Sequence, residues 1–102
     1  MATVRVTALA DLPEIGSRAF EVAGRSVLLC RSSAGLFALE NMCSHAFSRL
    51  EEGKVKGPHI FCPLHGIRFD MRTGEPNGTL TKQRIAVFPV SIENDAVFVE
   101  MP

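Results

Sequence analysis

The chain has 102 residues, of which 46% are hydrophobic and 22% are charged, and this profile predicts one compact domain spanning residues 1–102. Its 11 basic and 11 acidic side chains give a formal net charge of zero, which excludes a nucleic-acid or anionic-membrane binder that relies on bulk charge. No apolar run reaches the ~18 residues of a membrane-spanning helix. The first residues also lack the pattern of an export signal, so we expect a cytoplasmic protein.

Short strands separated by turns are predicted in the first forty residues. Residues 3–7 and 17–22 are rich in β-branched and apolar side chains, and residues 11–16 between them contain proline and glycine. Residues 25–32 and 36–40 flank a short segment that contains Gly35, a pattern typical of a β-hairpin.

The middle third of the chain has a different pattern. Two loops are predicted at residues 41–53 and 62–66, around strand-like residues 54–56 and 59–61. We therefore expect a small loop-rich lobe over approximately residues 41–74.

The last third again predicts strands, at residues 67–70, 85–92 and 96–100, with a turn at residues 93–95. No segment longer than about ten residues shows apolar side chains at helical spacing. The predicted class is therefore all-β, a small sandwich or barrel carrying the middle lobe.

Two motifs in the lobe carry metal-binding chemistry. They are Cys43-Ser44-His45 and Cys62-Pro63-Leu64-His65, separated by residues 46–61. Two thiolates and two imidazoles suit a tetrahedral zinc ion, and they equally suit a binuclear iron-sulfur cluster with two ligands on each iron. The ligand types alone do not choose between these centres.

The spacing and surroundings of the two motifs resemble the Rieske 2Fe-2S signature. The resemblance extends from Gly66 to Asp70 after the second motif and to Thr73-Gly74-Glu75 downstream. It implies that Cys43 and Cys62 bind one iron and that His45 and His65 bind the other. It also implies a Rieske-like antiparallel β-sandwich with a small cluster-binding subdomain of two loops and short strands.

The function that this resemblance implies is electron transfer without a catalytic residue. Protein ligands fill every position on the two irons, so no position is open for a substrate. We expect a ferredoxin component of a multicomponent ring-hydroxylating dioxygenase system, which passes single electrons from a flavin-dependent ferredoxin reductase to a terminal oxygenase. Docking near His45 and His65 is expected to be transient, with the chain a monomer in solution and no nucleic-acid or membrane partner.

The sequence also predicts a reduction potential at the low end of the Rieske range. Membrane-complex members of the family have a disulfide between the cluster loops and hydroxyl groups near the cluster sulfurs, and both features raise the potential. The corresponding disulfide positions are Ser48 and Leu64, and the hydroxyl positions are Ile67 and Phe69. None of these side chains can perform those roles.

Two alternatives remain open at this point. The first is the Rieske-like small subunit of an assimilatory nitrite reductase, and the second is a structural zinc module for protein interaction.

Outside the motifs, Cys30 is expected to be a buried strand residue, and His59 is expected to be a strand or turn residue. Apolar residues beside the ligands are expected to form either a docking rim or ordinary loop packing: Met42, Phe47, Pro63 and Leu64. The charged residues Arg49, Glu51, Glu52, Lys54 and Lys56 are expected to form a solvated surface.

Overall fold

The computed structural model describes residues 2–43, 49–63, 67–77 and 83–102. These residues form antiparallel strands and one 3-10 turn, Leu9–Asp11, and within these ranges no helix is long and apolar enough to cross a membrane. The strands are β1 Ala2–Ala8, β2 Gly16–Val22, β3 Arg25–Ser32, β4 Gly35–Glu40, β5 Val55–Lys56, β6 His59–Phe61, β7 Arg68–Asp70, β8 Pro76–Asn77, β9 Val87–Phe88, β10 Val90–Glu93 and β11 Ala96–Met101.

The strands form three sheets. The first has the order β1-β11-β10, the second β2-β3-β4-β9 and the third β5-β6-β7-β8. Every strand pair is antiparallel. The predicted all-β, antiparallel class is therefore confirmed. The third sheet runs from β5 to β8 and so extends a few residues beyond the lobe predicted at approximately residues 41–74.

The second sheet is the middle layer of the molecule, as β3 shows most clearly. Val27 and Leu29 belong to the core cluster shared with the first sheet, whereas Leu28 and Cys30 belong to the cluster shared with the lobe. Successive side chains of a strand point to opposite faces. A strand covered on both faces must be apolar on both, which explains the continuous buried run in β3.

Two hydrophobic cores result from this layering. The sandwich core between the first two sheets contains Val97 and Val99 of β11. The lobe core contains Ile60 and Phe69, which are paired on adjacent strands and fully buried. At the edge of the lobe, Ser32 Oγ donates a 2.6 Å hydrogen bond to the carbonyl oxygen of Gly57, which ties the lobe to the second sheet.

Residues 85–92 do not form the single strand that the sequence predicts. The segment divides into β9, which pairs with β4, and β10, which pairs with β11. Pro89 lies between them and has no N–H to donate to a ladder, although its carbonyl accepts a 2.9 Å bond from the Glu100 amide. The chain thus crosses from the second sheet to the first at this proline.

The short strand β8 was also missed, since the sequence predicted no strand between residues 70 and 85. Pro76 and Asn77 pair with Phe69 and Arg68 of β7. Proline is tolerated at a sheet edge, and this two-residue pairing gives no periodicity that a sequence pattern could reveal.

Candidate metal centre

Two of the four predicted ligands lie in the described part of the chain, and the structure places both in one buried environment. Cys43 is 0% exposed and Cys62 is 2% exposed, and both belong to the lobe core. All three cysteines of the chain are described, and none of them forms a disulfide. His45 and His65 lie outside the described residues.

Main-chain hydrogen bonds close the second motif loop. The amide of Cys62 donates a 2.8 Å bond to the carbonyl oxygen of Ile67, and Phe61 pairs with Arg68 in the ladder between β6 and β7. The loop therefore leaves one strand and returns to its neighbour, and the strand ladder fixes the separation of its ends.

A side chain, Asn41, closes the first motif loop. Its Oδ1 accepts hydrogen bonds from the backbone amides of Leu50 and Glu51, both at 3.0 Å. Its own backbone amide donates a 3.1 Å bond to the carbonyl of Ser26 on β3. Sequence analysis missed Asn41, although an asparagine immediately before a loop is a residue type that often bonds to nearby backbone.

A glycine allows the two loops to approach each other. An ideal Cβ at Gly53 would lie 2.3 Å from the carbonyl oxygen of Phe61 and 2.8 Å from that of Leu50. The end of the first loop thus lies directly against the residue that precedes Cys62. Sequence analysis treated Gly53 only as part of a loop, because a close approach of this kind depends on a contact between distant segments.

The residues expected to influence the potential are apolar and buried where they are described. Ile67 is 5% exposed and Phe69 is 0% exposed, and both pack in the lobe core. Ser48 and Leu64, the positions considered for a disulfide, lie outside the described residues.

Cys30 also lies in the lobe core, where burial raises the pKa of its thiol to about 12. This confirms the expectation that Cys30 is a buried strand residue.

The surface beside the two cysteines is partly apolar. Met42 is 38% exposed and Pro63 is exposed, so each presents an apolar side chain next to a predicted ligand. Phe47 and Leu64 lie outside the described residues.

In the charged stretch between the motifs, Arg49 forms a 3.3 Å ion pair with Glu51. Glu52, Lys54 and Lys56 are exposed, which confirms the expected solvated surface for these three.

An ion pair orders the turn that follows β7. Arg72 donates to both carboxylate oxygens of Asp70, at 3.0 and 2.8 Å, and this contact lowers the pKa of Asp70 to about 2. The Asp70 carbonyl also accepts a 2.7 Å bond from the amide of Gly74. His59 pairs with Asp70 across the ladder, which confirms the expected strand position for His59.

The described donor set fits a metal centre with thiolate ligands. Two cysteines from separate loops reach one apolar core, and a metal stabilises the deprotonated thiols that such a core would otherwise disfavour. Thiolates at this position are suitable ligands for iron-sulfur clusters and for zinc. Comparison with known proteins decides between the two.

The Rieske 2Fe-2S domain profile matches residues 2–89, which is most of the chain. The chain belongs to the Rieske 2Fe-2S family. The cofactor of this Rieske protein is therefore a Rieske-type 2Fe-2S cluster, and the match decides against the zinc centre that the ligand types left open.

Individual relatives place this Rieske protein among ferredoxins. It is 36% identical over 93 residues to the ferredoxin component of naphthalene 1,2-dioxygenase/salicylate 5-hydroxylase systems from Ralstonia sp., covering 91% of this chain and 89% of that protein. The ferredoxin of carbazole 1,9a-dioxygenase from Nocardioides aromaticivorans superposes with a TM-score of 0.89 at 33% identity, covering 97% of both chains. A complex of reduced oxygenase and oxidised ferredoxin in carbazole 1,9a-dioxygenase matches with a TM-score of 0.85 at 28% identity, covering 95% of this chain and 91% of that one.

These relatives define the class of function. This Rieske protein is an electron carrier of the ferredoxin type and not an enzyme. A putative nitrite reductase small subunit also superposes, with a TM-score of 0.85, but at 16% identity over 99% of this chain and all of that one. Similarity at that level shows the shared fold alone, so the nitrite reductase alternative has weaker support.

Proposed function

We propose that this chain carries single electrons from a flavin-dependent ferredoxin reductase to the terminal oxygenase of an aromatic-ring dioxygenase system, as a cytoplasmic monomer. The observation that carries the proposal is the end-to-end similarity to ferredoxin components of such systems. The zero net charge is consistent with a protein partner recognised through a local surface and not through bulk charge.

In this proposal Cys43 and Cys62 bind one iron of the cluster, and His45 and His65 bind the other. Burial of both cysteines in one core supports the first half of the assignment, and the motif spacing supports the second half. When bound, the cluster takes up and releases one electron. The chain's own residues hold the two thiolates and exclude water from them, because the surrounding side chains are apolar.

Redox partners are proposed to dock on the surface around the two motifs, near His45 and His65. Met42 and Pro63 are exposed there, each adjacent in sequence to a proposed cysteine ligand. Electron-transfer complexes are usually small and short-lived. An apolar contact without strong charge pairing suits an interaction of this kind, since release then does not limit turnover.

Electron delivery to an oxygenase tests the proposal directly. The reduced chain is mixed with an oxidised terminal oxygenase of the naphthalene dioxygenase type, and oxygenase reduction is followed by its absorbance. We expect transfer of one electron for each chain. Met42→Glu should slow the bimolecular rate roughly tenfold, the effect of a charge placed in the centre of an interface.

The matched control for that substitution is Ile92→Glu, because Ile92 is also an exposed apolar side chain, 51% accessible, but lies on the first sheet. Its rate should equal that of the unaltered protein. Absence of electron transfer, together with stable copurification with a large reductase of nitrite, would favour the nitrite reductase alternative.

An electron paramagnetic resonance titration tests the cluster and its potential together. We expect no signal from the oxidised protein and, after reduction, a signal with the low average g value of mixed nitrogen and sulfur ligation. The midpoint should lie toward the low end of the range from about −150 to +300 mV, because Ile67 and Phe69 have no hydroxyl to stabilise the reduced cluster. A midpoint near the top of that range, or zinc without iron, would contradict the prediction.

A further inference from the structure

We infer that Asn41 is a positioning residue. It holds the ends of the first motif loop together and so sets the position of Cys43 in the lobe core. The inference rests on the proposed function, in which Cys43 binds the cluster. Asn41 is not itself a proposed ligand, and its side chain is shielded from solvent at 2% exposure.

The side chain of Asn41 uses its full hydrogen-bonding capacity. Oδ1 accepts from the amides of Leu50 and Glu51, both at 3.0 Å. Nδ2 donates to Ser26 Oγ at 3.1 Å and to Glu51 Oε1 at 3.4 Å. A primary amide has two N–H donors and one oxygen with two lone pairs. Every one of these positions is therefore occupied within a buried site.

These hydrogen bonds lie where the first motif loop begins and ends. Asn41 is the last residue before segment 42–49. Its Oδ1 accepts hydrogen bonds from the two residues that follow this segment, Leu50 and Glu51. Its backbone amide is anchored to the carbonyl of Ser26 on β3. One side chain thus joins the start of the loop, the end of the loop and the central strand of the molecule.

The ends of the two motif loops are held in different ways. The second loop returns to a paired strand, and the backbone ladder between β6 and β7 fixes its ends. At the first loop, β4 ends at Glu40 and the chain after Leu50 enters a turn before β5 begins at Val55. A side-chain amide there performs the role that a strand ladder performs in the second loop.

An exposed ion pair lies beside the hydrogen bonds of Asn41, but it contributes little to holding the loop. Arg49 donates to Ser26 Oγ at 3.4 Å and to Glu51 at 3.3 Å, and its side chain is exposed. Exposed ion pairs contribute little to stability, whereas the amide of Leu50, whose bond to Asn41 is buried, would be costly to leave without an acceptor. The accepting oxygen of Asn41 is therefore the decisive atom.

The test compares Asn41→Leu with Asn41→Asp in the holoprotein. Leucine keeps the shape but accepts no hydrogen bond, whereas aspartate keeps an acceptor for both amides. Hydrogen exchange followed by mass spectrometry should show exchange at Leu50 and Glu51 accelerated roughly tenfold or more in Asn41→Leu, with β1 and β11 unchanged. Iron release to a chelator should accelerate by a similar factor. Asn41→Asp, measured in a Glu51→Gln background so that no second carboxylate faces the new one, should stay within a few-fold of Glu51→Gln alone in both measurements.

Two further variants keep the test decisive. Asn77→Leu, at an exposed position of β8, should change neither measurement. Ser26→Ala removes one acceptor of Nδ2 and should give a smaller acceleration, so it replaces Asn41→Leu if that variant does not fold. Unchanged exchange in both Asn41→Leu and Ser26→Ala, or equal losses in Asn41→Leu and Asn41→Asp, would overturn the inference. Iron missing from the unaltered protein would instead refute the proposed function, because that result involves no change at Asn41.

Discussion

Cys62→Ser should abolish the cluster, and with it the reduced-state electron paramagnetic resonance signal. Cys62 is buried in the lobe core together with Cys43, and a serine hydroxyl there does not ionise to replace a soft thiolate. Loss of an outer-shell partner already costs roughly 10–100-fold in metal affinity, so loss of a ligand should cost more. Iron and sulfide analysis of the purified variant measures the effect, and Cys43→Ser should behave in the same way.

The chain provides its own control for this experiment. Cys30 is equally buried, at 0% exposure, and lies in the same core, but it projects from β3 and belongs to neither motif. Cys30→Ala should retain iron, sulfide and the signal, with only the modest loss of stability that follows removal of a small buried group. Retention of a full cluster in Cys62→Ser, or its loss in Cys30→Ala, would contradict the ligand assignment.

Gly53→Ala should be strongly disruptive, although Gly53 is not a proposed ligand. The added methyl group would lie 2.3 Å from the carbonyl oxygen of Phe61 and 2.8 Å from that of Leu50. Both obstacles are backbone atoms, which cannot rotate away as a side chain can. Overpacking typically costs about 1–3 kcal/mol and occasionally more, and we expect a value at the upper end. Chemical denaturation measures this loss, and iron content should fall because the two loops are forced apart.

Gly57→Ala separates this clash from the general effect of replacing a glycine in the lobe. Gly57 has a φ of 55° and no heavy atom within 4 Å of an added Cβ. Alanine there is strained only by the left-handed backbone, at about 1 kcal/mol, so the cluster should remain bound. Equal stability and iron content in Gly53→Ala and Gly57→Ala would show that the close approach at Gly53 has no special role.

The sequence predicted most of the strands well because strand patterns depend on local information. The bounds of β3 and β6 were predicted to the residue, since alternating or continuous apolar side chains between turns are a local signal. The segment around Pro89 was predicted incorrectly, because whether a strand continues or crosses to another sheet depends on its pairing partners. The two-residue strand β8 was missed for the same reason.

The amino-acid sequence by itself predicted the chemistry of this protein: two cysteines and two histidines stand at a spacing that resembles the Rieske 2Fe-2S signature, and the family is confirmed. The proposed ligands follow from residue types and spacing, which need no coordinates. The tertiary structure decided how the loops are held, through the acceptor oxygen of Asn41 and the absent side chain of Gly53. Those contacts join segments from different strands, and only the packing of the second sheet between the lobe and the first sheet brings the segments together.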